Sequence, residues 1–237
     1  MAPDFEYFIR IAPAGRSGHT FPGILLITLP IALLILWIFQ RFVKRPVANL
    51  LPTGIQSRLS RHLGPFPFFG ASRFALIVIS ILVGVATHIF WDSFTHVNTW
   101  LYELWPLLHE PVYVPVLGTL PVYKALQHGS TVAGLFVLFL WLALWYRRSN
   151  PVPIRQPILP SSRRITVISV VIAMAVFGGI LRAGLEHGVP SSTTFRGFII
   201  DFVVTSVALM WWQLVAYGVL SNLRGETAPA FNGNGRA

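Results

Sequence analysis

Apolar residues fall in five long blocks along this chain, separated by basic, polar or proline-rich stretches. The blocks cover residues 21–42, 73–94, 125–146, 165–185 and 197–220. Each approaches the roughly 20 residues that a bilayer core asks of a helix. The pattern predicts an all-α polytopic integral membrane protein with about five transmembrane helices. Pro30, in the middle of the first block, predicts a kink there. Residues 1–20 form a mixed leading segment, and 21–220 a single transmembrane domain. Within that domain, residues 97–125 are long, rich in proline and aromatics, and without clear periodicity; such connections are usually functional or mobile. The polar tail, 221–237, is expected to be disordered. No internal repeat is visible.

The second block breaks its own pattern. It is apolar from 74 to 86 and then reads Thr87-His88-Ile-Phe-Trp91-Asp92-Ser93-Phe94-Thr95-His96. An ionisable residue at membrane depth is costly and marks a functional site by default. His88, Asp92 and His96 are spaced by four, so they share one side of a helix. Thr95 joins that side, with Gly84 and Ser80 one and two turns earlier, small residues that would let another helix pack close.

Charge orients the blocks. Only 11% of residues are charged, against about 25% in a soluble domain. The net charge of +10 resides mostly in short loops between apolar spans, so it signals topology rather than a nucleic-acid partner. Lys and Arg number thirteen in the 41–73 connector, the 147–164 loop and the tail, against five in the remaining segments. The prediction is N-out and C-in, with a cytoplasmic tail. Six of the seven histidines and seven of the eight carboxylates then gather at the outer face. Imidazoles and carboxylates together suit a hard-to-borderline metal ion; the plainer account is that acids lie where lysine and arginine do not. The chain has no cysteine, which excludes thiolate sites and disulfides. Its start, Met1-Ala-Pro-Asp4, lacks the pattern of a cleavable signal peptide. It carries no phosphate loop, Gly-x-Ser-x-Gly elbow or Rossmann glycine pattern, which argues against ATP-driven, serine-hydrolase and dinucleotide chemistry.

His88 and Asp92 stand one helical turn apart, so a nitrogen and an oxygen can converge on one ion. The alternative is a His–Asp hydrogen bond joining two helices. Lys124, Gln127 and His128 open the third span and could hold an anionic substrate group such as a lipid phosphate, or simply anchor the interface with Tyr123. Asp4 is a metal candidate or a helix N-cap, and Thr20 would cap the first span. Arg182 and Glu186 read as a local i,i+4 pair. Asp201 would join the polar site or partner Arg196 or Arg182.

Four stretches carry a resemblance: Met1-Ala-Pro-Asp-Phe-Glu-Tyr-Phe8; His19-Thr20-Phe21-Pro22-Gly23; Thr87 through His96; and Pro121-Val-Tyr123-Lys-Ala-Leu-Gln127-His128-Gly129-Ser130. In this order the chain resembles DUF4184, a family of uncharacterised bacterial membrane proteins with no established function. The same skeleton is similar to a wider group of membrane-bound metal-dependent hydrolases. That resemblance implies Asp4, His19, His88 and Asp92 as metal ligands, with His96 a general base or further ligand. It implies a divalent metal, zinc first, with manganese or iron as alternatives. It further implies a multi-pass protein of the bacterial inner membrane, bound to the bilayer and hydrolysing a lipid-like or phosphorylated substrate at the outer face. Residues 97–125 would then form a lid. In the family a segment with a Ser-His-Pro element precedes the Ala-Pro-Asp motif, so the leading segment here is expected to be truncated. Two rival readings remain: a transporter using the same groups as a metal or proton path, and a non-catalytic protein in which they only fix helix packing.

Overall fold

The computed structural model describes residues 4–10, 20–68, 70–116, 118–152 and 159–226. It is helical, and five helices are long and apolar enough to cross a membrane: α2 (Phe21–Leu50), α4 (Ala71–Thr95), α6 (Val122–Arg148), α7 (Ser161–His187) and α8 (Phe195–Leu223). A short α1 (Phe5–Arg10) precedes them, α3 (Thr53–Leu59) follows α2, and α5 (Trp100–Leu104) follows α4. The expected fold class of a polytopic all-α membrane protein is therefore the observed one. Each helix extends past its apolar block, because hydropathy marks the part that suits lipid while the helix runs on through polar flanks.

The chain divides into two compact units. One comprises residues 2–78 and 151–237, and the other is built from 79–150. In the first, α2 is continuous through Pro30. Proline lacks an N–H and crowds the carbonyl four residues back. The helix answers with a wider π-turn over Ile24–Thr28, where the Leu29 N–H bonds back to Ile24 O. The same device recurs over Phe39–Val43, ahead of Pro46. Thr20 caps the helix as expected, its hydroxyl accepting from the Gly23 N–H at 3.2 Å. At the other end, the Leu51 carbonyl accepts from Gln56 Nε2 at 2.6 Å and Arg164 NH1 at 2.9 Å. Those bonds satisfy a carbonyl that the ended helix leaves without a backbone partner.

In this unit α7 and α8 pack closely, and α8 also meets α1 and α2. Glycines set the approach. A Cβ on Gly179 would meet Ser206 Oγ and the Phe202 carbonyl; one on Gly218 would meet the Phe42 carbonyl. Small residues at such crossings allow the backbone contact on which helix association in lipid depends. Gly84, expected to admit a neighbouring helix, has open space around a built Cβ instead. The α4 face it shares with Ser80 is not a close-packed seam at that point.

In the second unit, the 97–125 connection is more ordered than its composition suggests. After α5 comes a 3₁₀ turn, Pro106–His109, and a hairpin of β1 (Pro111–Val114) and β2 (Gly118–Pro121), paired in register from Pro111↔Pro121 to Val114↔Gly118. The Val122 N–H bonds to Glu110 O at 3.0 Å and closes the base of the hairpin. Aromatic contacts hold the rest: Tyr102 stacks on His109 at 4.1 Å and meets Tyr123 edge-on at 5.3 Å, while Phe94 lies 5.8 Å from Trp105. Alternation was invisible in the sequence because each strand is only four residues long and bounded by proline.

These contacts generate a stability prediction. Gly218→Ala and Gly179→Ala should each cost about 1–3 kcal/mol, the scale of overpacking, while Gly84→Ala should be neutral or slightly stabilising through helix propensity. Unfolding of the purified protein in mixed micelles measures this, and an equal loss at Gly84 would contradict the assigned seams.

Candidate functional site

The polar stripe lies in the last two turns of α4. That helix is 25 residues long, about 37 Å at 1.5 Å per residue, against a hydrocarbon core of about 30 Å. The surplus length fits a stripe at one end rather than at mid-depth. Helical periodicity aligns His88, Asp92 and His96, and the structure joins them. His88 Nε2 lies 3.2 Å from Asp92 Oδ2, and His96 Nδ1 lies 3.8 Å from Asp92 Oδ1. His88 and Asp92 are largely covered, at 19% and 26% side-chain exposure, whereas His96 is half exposed.

From His96 the network crosses to α6. Gln127 Nε2 is 3.2 Å from His96 Nε2, and Lys124 Nζ is 2.6 Å from Gln127 Oε1. An ammonium only donates, so the Gln127 oxygen must face Lys124 and its NH₂ must face the imidazole. An amide NH₂ also only donates. His96 Nε2 therefore accepts, and the ring is neutral with its proton on Nδ1, beside Thr95 Oγ1 at 3.1 Å and the Asp92 carboxylate. Hydrogen bonds thus run from Lys124 to Gln127 to His96, and the Asp92 carboxylate stands between the two imidazoles, 3.2 Å from His88 and 3.8 Å from His96. The Trp91 indole adds a second tie to α6, 3.3 Å from Ser130 Oγ. Thr99 Oγ1 approaches Ser93 O at 2.8 Å and His96 O at 3.1 Å, closing the end of α4.

Five of the eight expected site residues thus meet. His128 makes no hydrogen bond or ion pair with a described residue. Asp4 directly precedes α1 and belongs to the other compact unit. His19 lies outside the described residues. Among the described residues no group of three or more His, Asp or Glu side chains is arranged to hold a metal ion. Two donors do fit one: ligands at about 2.0–2.2 Å on a tetrahedral ion stand roughly 3.3 Å apart, close to the His88–Asp92 separation.

A second His–Asp pair went unpaired in the sequence. His187 Nε2 at the end of α7 lies 2.5 Å from Asp201 Oδ2 on α8. This overturns the expected partnership of Asp201 with Arg196 or Arg182. Gly197 makes room for the ring, since a Cβ there would stand 2.6 Å from His187 Cε1. The anticipated Arg182–Glu186 pair does not form; the Arg182 Nε is buried with no hydrogen-bond partner among the described residues. The spacing of fourteen residues across a helical turnaround gives no periodic signal, and only the register of α7 on α8 creates the contact.

Two outcomes test these contacts. Asp201→Asn should cost about 0.6–1.7 kcal/mol of unfolding free energy in mixed micelles, the measured range for hydrogen bonds between membrane helices. Gln127→Ala should expose the His96 Nε2 lone pair, so carbethoxylation of His96 by diethylpyrocarbonate, followed by peptide mass spectrometry, should accelerate several-fold. An unchanged rate would mean that the amide does not hold the ring.

Comparison with curated proteins and with solved structures finds no match. The family described as "Domain of unknown function (DUF4184)" matches residues 1–219, nearly the whole chain, with four membrane-length helices in full and all but the last turn of α8. The chain belongs to the DUF4184 family.

Proposed function

We propose that this protein is a membrane-embedded, metal-dependent hydrolase of a lipid-like or phosphorylated substrate, with His88 and Asp92 at the centre of a divalent-metal site. The observation that carries the reading is the 3.2 Å separation of His88 Nε2 and Asp92 Oδ2 on one face of an apolar helix. Asp4 and His19 are the proposed remaining ligands, on the family resemblance stated above. Zinc is the first choice for an imidazole–carboxylate set, with manganese or iron as alternatives. Such an ion, when bound, would polarise a phosphoester or ester oxygen and bring the pKa of a bound water to about 7.

The chain's own residues have distinct tasks in this scheme. Asp92 offers one oxygen toward His88 and the other toward His96, so the second imidazole stands where it would orient the carboxylate. His96, neutral and half exposed, can take a proton at Nε2 only after releasing the Gln127 amide. Lys124, 2.6 Å from Gln127, supplies a positive charge beside that nitrogen and could draw an anionic substrate group. A packing role is the second reading. It is favoured at His96, whose contact with Gln127 ties α4 to α6.

The test is elemental analysis of the purified full chain beside His88→Ala, Asp92→Ala and His187→Ala. Near-stoichiometric metal should be present in wild type and His187→Ala and lost in the other two, with helicity retained by circular dichroism. Phosphate release from a lipid phosphomonoester should vanish with the metal. In the same assay Gln127→Ala, which removes the contacts to both His96 and Lys124, should cost about ten- to hundredfold. Metal-free wild type, or metal retained in both Ala variants, would sink the hydrolase reading.

A further inference from the structure

The last turns of α2 carry Arg41, Lys44 and Arg45 within five residues. None of the three has a carboxylate partner among the described residues. Arg41 NH1 donates to Asn222 Oδ1 at 3.3 Å, Lys44 Nζ to Gly64 O at 3.3 Å, and Arg45 Nε to Leu63 O at 3.0 Å. Neutral oxygens orient these cations without balancing their charge. A positive cluster at the end of a membrane-length helix, held by fixed oxygens and left without a counter-ion, is suited to an anion.

The same segment borders a cavity of about 300 Å³. Arg41 and Arg45 form its charged side, and Trp37, Phe66 and Phe68 its apolar side. Phe66 and Phe68 brace each other edge-to-face at 4.9 Å, and the Arg41 guanidinium sits 5.3 Å over the Phe42 ring. Gln40 also lines the space and makes no hydrogen bond to a described residue, its Oε1 buried, so its amide is left for a ligand. Gln40 and Arg41 both belong to the π-turn over Phe39–Val43, and such turns gather at functional sites. Gly218 completes the construction. Its missing Cβ lets α8 meet α2 at the Phe42 carbonyl, and one turn later Asn222 receives Arg41.

The two halves of the cavity ask for one ligand with two characters. Guanidiniums match a phosphate through paired, charge-assisted N–H donors. The aromatic wall suits an apolar stem leaving the headgroup. The volume stands at the lower end of ligand pockets, about 300–1,000 Å³, enough for a headgroup and the start of its chains but not for a whole lipid. We infer that this pocket binds the phosphate of an anionic amphiphile, with Arg41 and Arg45 on the phosphate and Trp37, Phe66 and Phe68 along the stem. This site shares no residue with the His–Asp stripe and does not depend on its chemistry.

The test uses the purified full chain in a neutral detergent and native mass spectrometry with three probes: phosphatidylglycerol, phosphatidylcholine and inorganic phosphate. Wild type should retain phosphatidylglycerol over phosphatidylcholine. The Arg41→Gln/Arg45→Gln double variant should bind it about tenfold or more weakly, at roughly 1 kcal/mol for each basic residue lost. Arg41→Lys/Arg45→Lys, which keeps the charge, should fall between them, and circular dichroism confirms that both variants fold. Displacement of phosphatidylglycerol by inorganic phosphate would support the phosphate contact and show that a soluble phosphate can occupy it. An equal loss in Arg147→Gln/Arg148→Gln, which removes the same charge from the end of α6, would reduce the effect to general attraction and overturn the site. Indifference between the two lipids would overturn it as well.

Discussion

Polar atoms on membrane-length helices cannot rely on water, and the arrangement of this chain follows from finding them partners. Some hydroxyls inside the spans bond back to their own helix, Thr87 Oγ1 to Val83 O at 3.0 Å and Ser93 Oγ to Phe90 O at 2.6 Å, while Thr205 Oγ1 and Ser206 Oγ on α8 are buried without a hydrogen-bond partner among the described residues. Carbonyls freed at the end of α2 are taken up by Gln56 and Arg164. Prolines at 30 and 46 are each preceded by a π-turn that keeps the helix bonded around the missing donor. Ionisable groups that cannot be satisfied this way gather at helix ends, in pairs or beside a cavity.

The spans were legible in the sequence because twenty consecutive apolar residues have no other stable use. Their ends were less so: α2 continues from the last apolar residue of its block through Lys44, Arg45 and Pro46 to Leu50, since helical hydrogen bonding does not stop where hydropathy does. The hairpin in 97–125 was not legible, its strands being too short for alternation to register. The same contrast divides the polar groups. His88, Asp92 and His96 lie on one helix, so a spacing of four suffices to join them. Gln127 reaches His96 across 31 residues, and His187 reaches Asp201 across a turnaround. Both depend on how one helix lies against the next, which local periodicity does not encode.

Small residues make the same point. Gly84 sits on the polar side of α4 and looked like a packing notch, yet no atom of a described residue comes within 4 Å of where its Cβ would stand; Gly179, Gly197 and Gly218 carry close contacts instead. A glycine on a helix permits an approach without requiring one. What selects the occupied notches is the pairing that the approach allows: Gly197 admits the His187 ring to Asp201, and Gly218 brings Asn222 to Arg41.

The two His–Asp pairs therefore carry different arguments. The His187–Asp201 contact ties α7 to α8, and the stability of that join is reason enough to hold an imidazole and a carboxylate there. The His88–Asp92 contact joins two residues one turn apart on α4. An i,i+4 contact of this kind returns a few tenths of a kcal/mol on its own. His96, in contact with Gln127, extends the same group toward α6. The helical repeat of α4 is enough to make the first pair, while the register of α7 on α8 makes the second.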